Sequence, residues 1–374
     1  MRVQIPKIYY YKELTFIDLS NTFQARYYQP GDDDAIIELL KGDFPAWDRQ
    51  ESPQDYLKWK HLEDPNGSLI VVAVSGEKIV GVDIPMLQKI KIGDLVYLTF
   101  FGAATVTHPE YRRMGISKVL GNLADGYYFE HGLKYNYSNS ENPIVIRNNL
   151  KTRLLFPHKL TQMTRMNSTE HIDSTVKKYG FKILSGINKI SNSVSFDSKN
   201  VNEFKIIQID KFDEDINKFF NEAISYHNYI VVKDSTYLNW RYCDPRGGKH
   251  IIYKAAQDGV TLGFIVMELR KTHDGYNGTI AELLALPGKP EVARSLLRTS
   301  CKYFDDEGGN VLNYGVIKGH PYQNISKRFG FLDTSIISKM ETIGRFKEIM
   351  NEYEKLKTVP PNKVYMNFGE AFLE

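Results

Sequence analysis

The sequence of this chain repeats itself. Residues 55–67, which read Asp-Tyr-Leu-Lys-Trp-Lys-His-Leu-Glu-Asp-Pro-Asn-Gly, are echoed by residues 236–247, which read Thr-Tyr-Leu-Asn-Trp-Arg-Tyr-Cys-Asp-Pro-Arg-Gly. The tryptophans of the two segments, Trp59 and Trp240, are 181 residues apart, and the register persists to Gly81 and Gly263, which are 182 residues apart. Two copies of one domain therefore account for most of the 374 residues, so a single small core is excluded.

The composition is that of a globular protein. Hydrophobic residues make up 42% of the chain and charged residues 25%, which excludes fibrous and largely unfolded classes. The 48 Lys and Arg residues stand against 45 Asp and Glu, a formal net charge of +3. Because nucleic-acid binding needs an excess of positive charge at phosphates, this balance argues against a nucleic-acid partner.

Cysteine and histidine usage argues against a metal or disulfide framework. The two cysteines form no CxxC, and the nine histidines include no HExxH. We therefore expect no metal and a reducing, cytoplasmic location. The longest apolar run, residues 96–106, is too short to span a bilayer, so we expect no membrane span.

Hydrophobic periodicity predicts strands and helices in both copies. Strand patterns in the first copy fall at residues 23–28, 69–74, 79–92, 95–107 and 133–138, with helices at 35–41 and 115–130 and a short helix at the Tyr-Leu-Lys-Trp segment, 56–59. Strand patterns in the second fall at 203–209, 250–256, 262–270, 278–286 and 311–316, with helices at 213–225, 235–242, 290–306 and 322–328. Short turns predict antiparallel hairpins, and each late strand–helix–strand unit predicts one parallel pair. The last residues predict a helix over 341–357 and a docked tail.

A basic loop in the first copy carries the strongest chemical signal. Residues 106–117 read Val-Thr-His-Pro-Glu-Tyr-Arg-Arg-Met-Gly-Ile-Ser, so a buried strand enters a loop that opens a helix. The first N–H groups of a helix have no intrahelical acceptor and lie at the positive end of its dipole. Gly115 allows close approach to the backbone, and Arg112, Arg113 and Lys118 add charge. The pattern predicts an anion cradle.

This loop resembles the Arg/Gln-x-x-Gly-x-Gly/Ala signature of the GNAT (Gcn5-related N-acetyltransferase) superfamily, with Ser117 in the last position. The resemblance covers residues 23 to about 166 closely and 201 to about 340 more loosely. It implies an α+β fold of two tandem GNAT domains, each a mixed, mostly antiparallel sheet with a splayed parallel strand pair and flanking helices. It also implies that acetyl-CoA, or another acyl-CoA, is the co-substrate. The cofactor contacts it implies are Val106, Arg112, Arg113, Met114, Gly115, Ile116, Ser117 and Asn142.

The second copy lacks this signature. Its corresponding loop reads Leu-Pro-Gly-Lys-Pro-Glu-Val-Ala-Arg-Ser over residues 286–295, and Pro290 removes a backbone donor. We therefore expect the second copy to be degenerate for CoA and to be structural or to form part of the acceptor pocket.

The catalytic groups are harder to place. The strand before the loop, residues 95–106, contains no acid, whereas the second copy has Glu282 at the position of Ala104. The family's tyrosine acid, seven residues after the Asn, is replaced by Asn149. His108 and Tyr135 are nearby substitutes, and we favour Tyr137 and Glu141 because the end of the splayed strand faces the thioester in the family. Proton removal through water is a further alternative.

Together these observations predict five segments. They are an N-terminal extension (1–22), a CoA-binding GNAT domain (23–170), a connector (171–200), a GNAT-like domain (201–340) and a C-terminal helix with a docked tail (341–374). The expected activity is transfer of an acyl group, acetyl in the first instance, from CoA to a primary amine of a small molecule, aminosugar or peptide. A catalytically inactive acyl-CoA- or partner-binding module and a Fem-like aminoacyl transferase remain alternatives.

Overall fold

The structure is a computed structural model. It describes residues 17–18, 23–167, 204–273, 275–335 and 340–370. The predicted connector, 171–200, lies outside the described residues, as does all of the predicted N-terminal extension except 17–18.

The described residues form two mixed sheets with flanking helices. The strands of the first half are β1 (Ile17–Asp18), β2 (Gln24–Tyr27), β3 (Val71–Ser75), β4 (Lys78–Ile92), β5 (Leu95–Thr107), β6 (Asn136–Ser140), β7 (Leu154–Leu155) and β8 (Leu160–Met166). Those of the second half are β9 (Lys205–Ile209), β10 (Tyr229–Val231), β11 (His250–Gln257), β12 (Val260–Thr272), β13 (Gly275–Ala285), β14 (Gly309–Ile317), β15 (Leu332–Asp333) and β16 (Glu341–Arg345).

Most of the helices lie where the sequence predicts them, but two short ones, Pro45–Asp48 and Pro143–Asn149, were not predicted. In the first half they are α1 (Asp33–Leu40), α2 (Pro45–Asp48), α3 (Pro53–Leu57), α4 (Ile116–Glu130) and α5 (Pro143–Asn149). In the second they are α6 (Asp215–Tyr226), α7 (Ser235–Tyr242), α8 (Pro290–Asp306), α9 (Pro321–Lys327) and α10 (Met350–Leu356). A π-helical turn, Lys58–Leu62, continues α3.

Each sheet contains one parallel pair among antiparallel neighbours. The first sheet runs β1-β2-β3-β4-β5-β6-β16-β7, with β10 paired to β4, and β5 and β6 are its parallel pair. The second runs β15-β8-β14-β13-β12-β11-β9, with β13 and β14 parallel. The long helices α4 and α8 make the crossovers, as the strand–helix–strand order predicts.

The two halves exchange their last strands. Strand β8 follows the first repeat in sequence but pairs with β14 of the second sheet, while β16 follows the second repeat and pairs with β6 of the first. Leu160 and Glu341, which begin these strands, are 181 residues apart, the spacing of the sequence repeat. The division into domains at 23–170 and 201–340 stays a prediction, and the exchanged strands cross it.

The C-terminal helix is shorter than the sequence predicts. The prediction of one helix over 341–357 is wrong in its first part, because Glu341–Arg345 is strand β16 and α10 begins at Met350. Ile343 is fully buried between β6 and β7, and the free edge of β6 supplies hydrogen-bond partners that a local pattern does not reveal.

The repeated Trp helices meet at the junction of the halves. The indole N–H of Trp59 donates to the carbonyl oxygen of Trp240 at 2.9 Å, and that of Trp240 donates to the carbonyl oxygen of Trp59 at the same distance. The two ring centroids are 5.5 Å apart. This reciprocal clasp gives both indole N–H groups an acceptor and fixes one repeat against the other. Among the described residues, no helix is long and apolar enough to cross a membrane.

Candidate active site

A slot opens in the first sheet where its parallel strands separate. β5 and β6 pair at Phe100 with Asn136 and at Phe101 with Tyr137, and β5 then continues to Thr107 with no further pairing to β6 in the described chain. We call residues 102–107 and 138–140 the first slot. Most of its residues are half-buried or exposed, with Ala104 and Val106 turned into the core. The backbone edge of β5 is therefore accessible to an extended ligand.

The basic loop lies at the end of this slot. It spans the eight residues 108–115, in which Arg113 has a φ of 70° and Gly115 a φ of 84°. Gly115 is the N-cap of α4, and no side chain caps this helix end. The first helical N–H groups to find acceptors are those of Lys118 and Val119, which donate to the Gly115 carbonyl. The amides of Ile116 and Ser117 precede them, so the loop presents uncapped donors at a helix N-terminus.

Some side chains at the loop carry positive charge, and others are apolar. Arg112 Nε donates to the Thr107 carbonyl at 3.1 Å, and its guanidinium lies 3.3 Å from a carboxylate oxygen of Asp43. These contacts fix the loop on the end of β5. Met114 is exposed, whereas Ile116 is buried in the core under α4. Of the predicted contacts, Ile116 and Val106 can thus offer backbone groups only.

The corresponding slot of the second sheet is filled. β13 and β14 pair as far as Ile280 with Tyr314 and then separate. We call residues 281–285 and 315–317 the second slot, and all of them are buried. A Cβ placed on Gly315 would lie 2.5 Å from the ring of Phe368, so the C-terminal tail lies directly on this strand.

A buried polar cluster locks the tail in the second slot. The Glu282 carboxylate is fully buried and pairs with Lys233. It also accepts hydrogen bonds from Tyr242 at 2.8 Å, Tyr365 at 2.9 Å and Asn367 at 2.7 Å. Tyr365 and Asn367 belong to the tail, so this carboxylate, which replaces the Ala104 of the first repeat, binds the chain's own end.

The second loop also lacks the cradle. Only residues 286–289 separate β13 from α8, and Pro290 occupies the first position of that helix, where it carries no N–H. The second repeat therefore has a shorter loop, lacks the first helical N–H, and has no space in its slot.

Comparison with solved structures finds proteins of similar architecture. A tandem GNAT protein from the clavulanic acid biosynthesis pathway matches with a TM-score of 0.54 at 12% identity, over 86% of this chain and 97% of that one. A GCN5-related N-acetyltransferase from Anabaena variabilis matches with 0.57 at 11%, over 86% and 72%. The chain has a tandem GNAT fold.

A third similar structure carries a longer acyl group. Saccharomyces cerevisiae N-myristoyltransferase with bound myristoyl-CoA matches with a TM-score of 0.55 at 10% identity, over 88% of this chain and 79% of that one. By sequence, no family model matches, and no significant match is found among curated proteins. At these identities the likeness concerns the fold, and function has to be argued from the site.

Within the GNAT fold, two predicted residues lie beyond the end of β6. Asn142 caps α5 by accepting from the amides of Ile144 at 2.9 Å and Val145 at 3.4 Å. Glu141 is exposed beside it. Both therefore lie at the far end of the β6 side of the slot, and the amide of Asn142 is engaged in shaping the chain there.

Tyr137 occupies the closed end of the slot. Its side chain is buried, its hydroxyl donates to Gln88 Oε1, and its ring stacks on that of Tyr135. Here the strands are still paired, so Tyr137 borders the point at which they separate. These contacts place its ring in the core and its hydroxyl against Gln88.

An acid that sequence reasoning missed lies beside the slot. Asp83 of β4 stands opposite Thr105 of β5, whose hydroxyl donates to its carboxylate at 2.6 Å. Burial raises the pKa of Asp83 to about 6, against the lowering effect of the Thr105 hydrogen bond, with a further raising contribution from Asp125. A carboxylate with this pKa can accept a proton near neutral pH.

The surroundings of Asp83 come from distant parts of the chain. Asp125 lies on α4, Arg345 on β16 is 3.1 Å from it, and the charge of Arg153 acts on both acids. A lone acid within the apolar segment Ile79–Ile92 is the only sequence signal for this group. Among the described residues, no cluster of His, Cys, Asp or Glu has the arrangement of a metal site.

Proposed function

We propose that this protein is an N-acyltransferase that moves an acyl group, acetyl in the first instance, from CoA to a primary amine of a small molecule, aminosugar or peptide. The observation that carries the proposal is the contrast between the repeats. In the first, an exposed slot adjoins an eight-residue basic loop whose helix begins with the amides of Ile116 and Ser117, which have no acceptor in the described chain. In the second, the slot is filled, the loop has four residues, and Pro290 removes the first helical N–H. We further propose that the protein acts in the cytoplasm.

Each part of the first site has a task in this reaction. The amides at Gly115, Ile116 and Ser117, with the cations of Arg113 and Lys118, would receive the pyrophosphate of the acyl donor. Arg112, held by Thr107 and Asp43, would keep the loop on the strand end. The exposed edge of β5 would pair with the extended amide arm of CoA, which offers donors and acceptors of its own.

Acyl transfer to an amine also requires proton removal. The attacking nitrogen must lose a proton to a base, and the departing thiolate must gain one. We propose Asp83 as the proton acceptor, because it reaches the slot through the exposed Thr105 and has a pKa of about 6. Glu141, exposed at the end of β6, is the second candidate for this task, and Tyr137 is retained as a candidate proton donor to the thiolate.

A thiol-release assay tests the activity. Purified protein is incubated with acetyl-CoA and a panel of primary amines (amino acids, polyamines, aminosugars and peptides), and free CoA thiol is measured together with the N-acetylated product. We expect thiol release that depends on the amine and matches the product one to one. Binding of acetyl-CoA with no turnover on any amine would instead support an inactive acyl-CoA-binding module, and absence of binding would exclude both.

A further inference from the structure

A cationic cavity lies at the junction of the repeats, beside the tryptophan clasp. Its volume is about 180 Å³, which is smaller than the pockets that hold whole drug-sized ligands. Both repeats line it, the first through Arg49 and Lys60 and the second through Arg241 and Arg246. The size suits a small group and not a nucleotide or CoA.

The repeat itself places two cations in this cavity. Lys60 and Arg241 each follow the clasped tryptophan of their own copy, so they occupy equivalent positions 181 residues apart. The reciprocal Trp59 and Trp240 hydrogen bonds therefore hold two like charges at one cavity. Like charges brought together cost free energy unless an anion joins them.

The charges around the cavity are unequal. Five described cationic side chains line it, against the single carboxylate of Glu268, which binds Arg270 at 2.7 Å. Glu63 and Asp244, just outside, both contact Arg246 at 2.7 Å. When those two acids are included, the cavity and its border hold five cationic side chains and three carboxylates.

Lys60 is the buried cation of this cavity. The lysine is only 2% exposed, and its ammonium nitrogen lies 5.5 Å from the ring centroid of Tyr56. Burial, with the charge of Arg241, lowers the pKa of Lys60 well below its ordinary value. An anion that entered the cavity would stabilise the ammonium form.

We propose that this junction cavity is a binding site for a small oxyanion of the phosphate class, held by Lys60, Arg241 and Arg49. One guanidinium group can donate to two phosphate oxygens at once. Lys60 adds a point charge at the buried end of the cavity. His250, which also lines the cavity, is half-buried. The site is distinct from the pyrophosphate cradle at Gly115 and goes beyond the proposed acyl transfer.

Calorimetric titration of the full chain with inorganic phosphate, at constant ionic strength set with sodium chloride, tests the site. We expect one saturable site per chain in the parent protein. Lys60→Met and Arg241→Gln should each weaken phosphate binding about tenfold or more, since each removes a charge-assisted contact. Arg298→Gln, which removes an exposed arginine on α8, should leave it unchanged.

Controls separate loss of the site from loss of the fold. Melting temperatures are measured for every variant, and the exposed rim variant Arg49→Gln tests the site even if Arg241→Gln does not fold. Affinity for acetyl-CoA on the same samples should not change, so failure here is distinguishable from failure of the proposed function. Lack of saturable phosphate binding, or equal binding by Lys60→Met, Arg49→Gln and Arg298→Gln, would overturn the proposal.

A second arm distinguishes a free anion from one carried by an acceptor. Phosphoethanolamine and ethanolamine are compared as competitors of phosphate and as amine acceptors. In one outcome, phosphoethanolamine displaces phosphate and is acylated at least tenfold more efficiently than ethanolamine by the parent protein, with no such advantage in Lys60→Met. In that case the anion is part of the acceptor. If it displaces phosphate without that advantage, the site takes the anion independently of transfer.

Discussion

The two slots of this protein have the same strand arrangement, but the first is accessible and the second is filled. In the first, β5 and β6 part beside a loop of eight residues, and the slot residues are largely accessible. In the second, β13 and β14 part beside a loop of four, and the tail packs Phe368 into the gap. The difference teaches that separation of the parallel strands is a property of the fold, while ligand access depends on the loop and on what covers the gap.

The strongest test of this contrast places the same charge in both loops. Gly115→Glu should weaken CoA binding about 1000-fold, because a carboxylate beside the pyrophosphate costs several kcal/mol. Gly288→Glu is the matched control, since both glycines have positive φ (84° and 77°) and open space around a Cβ. Calorimetry with acetyl-CoA measures both, and equal affinities would show that the cofactor site has been assigned to the wrong loop.

A second test removes the carboxylate that fills the position of Ala104. Glu282→Gln should lower the free energy of unfolding by about 3 to 4 kcal/mol, because it breaks a buried ion pair with Lys233. The double variant Lys233→Met/Glu282→Gln should recover part of this loss. Urea unfolding provides the measurement. If Glu282→Gln abolished turnover while leaving stability intact, the second slot would have a chemical role and the contrast would fail.

A third test opens the filled slot. Phe368→Ala should cost about 3 kcal/mol in unfolding, as expected for a large buried aromatic side chain. Because the second loop still lacks its donors, CoA should continue to bind with a stoichiometry of one per chain. A second equivalent bound by Phe368→Ala would mean that the tail alone keeps CoA out of the second repeat.

A fourth test sharpens the chemistry of the first slot. Since the pKa of Asp83 is raised to about 6, the activity of the parent protein should rise with pH through 6 as the carboxylate forms. Asp83→Asn should lower kcat/KM about 100-fold at pH 7 and abolish that rise. The pH–rate profile decides, with Glu141→Gln as the comparison. A profile unchanged in Asp83→Asn but altered in Glu141→Gln would transfer the role to Glu141.

The stability of the Asp83 variant follows from the sign of the shift. The folded protein holds this proton more tightly than the unfolded chain, so the acid form favours folding, and this contribution is lost as pH rises through 6. Asp83→Asn has no proton to release at this position, so it does not lose this stability as the pH rises. The variant should therefore not be destabilised at pH 7 to 8. Loss of activity with intact melting behaviour would therefore report on chemistry.

The strand–loop–helix transition of the first repeat was predictable because its signals are local. The loop from Val106 to Ser117 combines glycine, basic residues and a strand-to-helix transition within twelve residues, and the structure shows that transition. The choice of Tyr137 rested on its strand, whose splayed end faces the thioester in the GNAT family, and the structure places its side chain in the core. Asp83 was missed because its neighbours Asp125 and Arg345 are brought to it by α4 and β16.

The sequence by itself determined the duplication, the order of elements in each copy and the single basic loop. Each depends on residues close together or on a repeat that is visible in the letters. Only the tertiary structure decided that β8 and β16 change sheets, that the tail enters the second slot and that Lys60 and Arg241 line one cavity. Strand edges pair with whichever partner the assembled fold presents, and a local pattern records the period of a strand but not its neighbour.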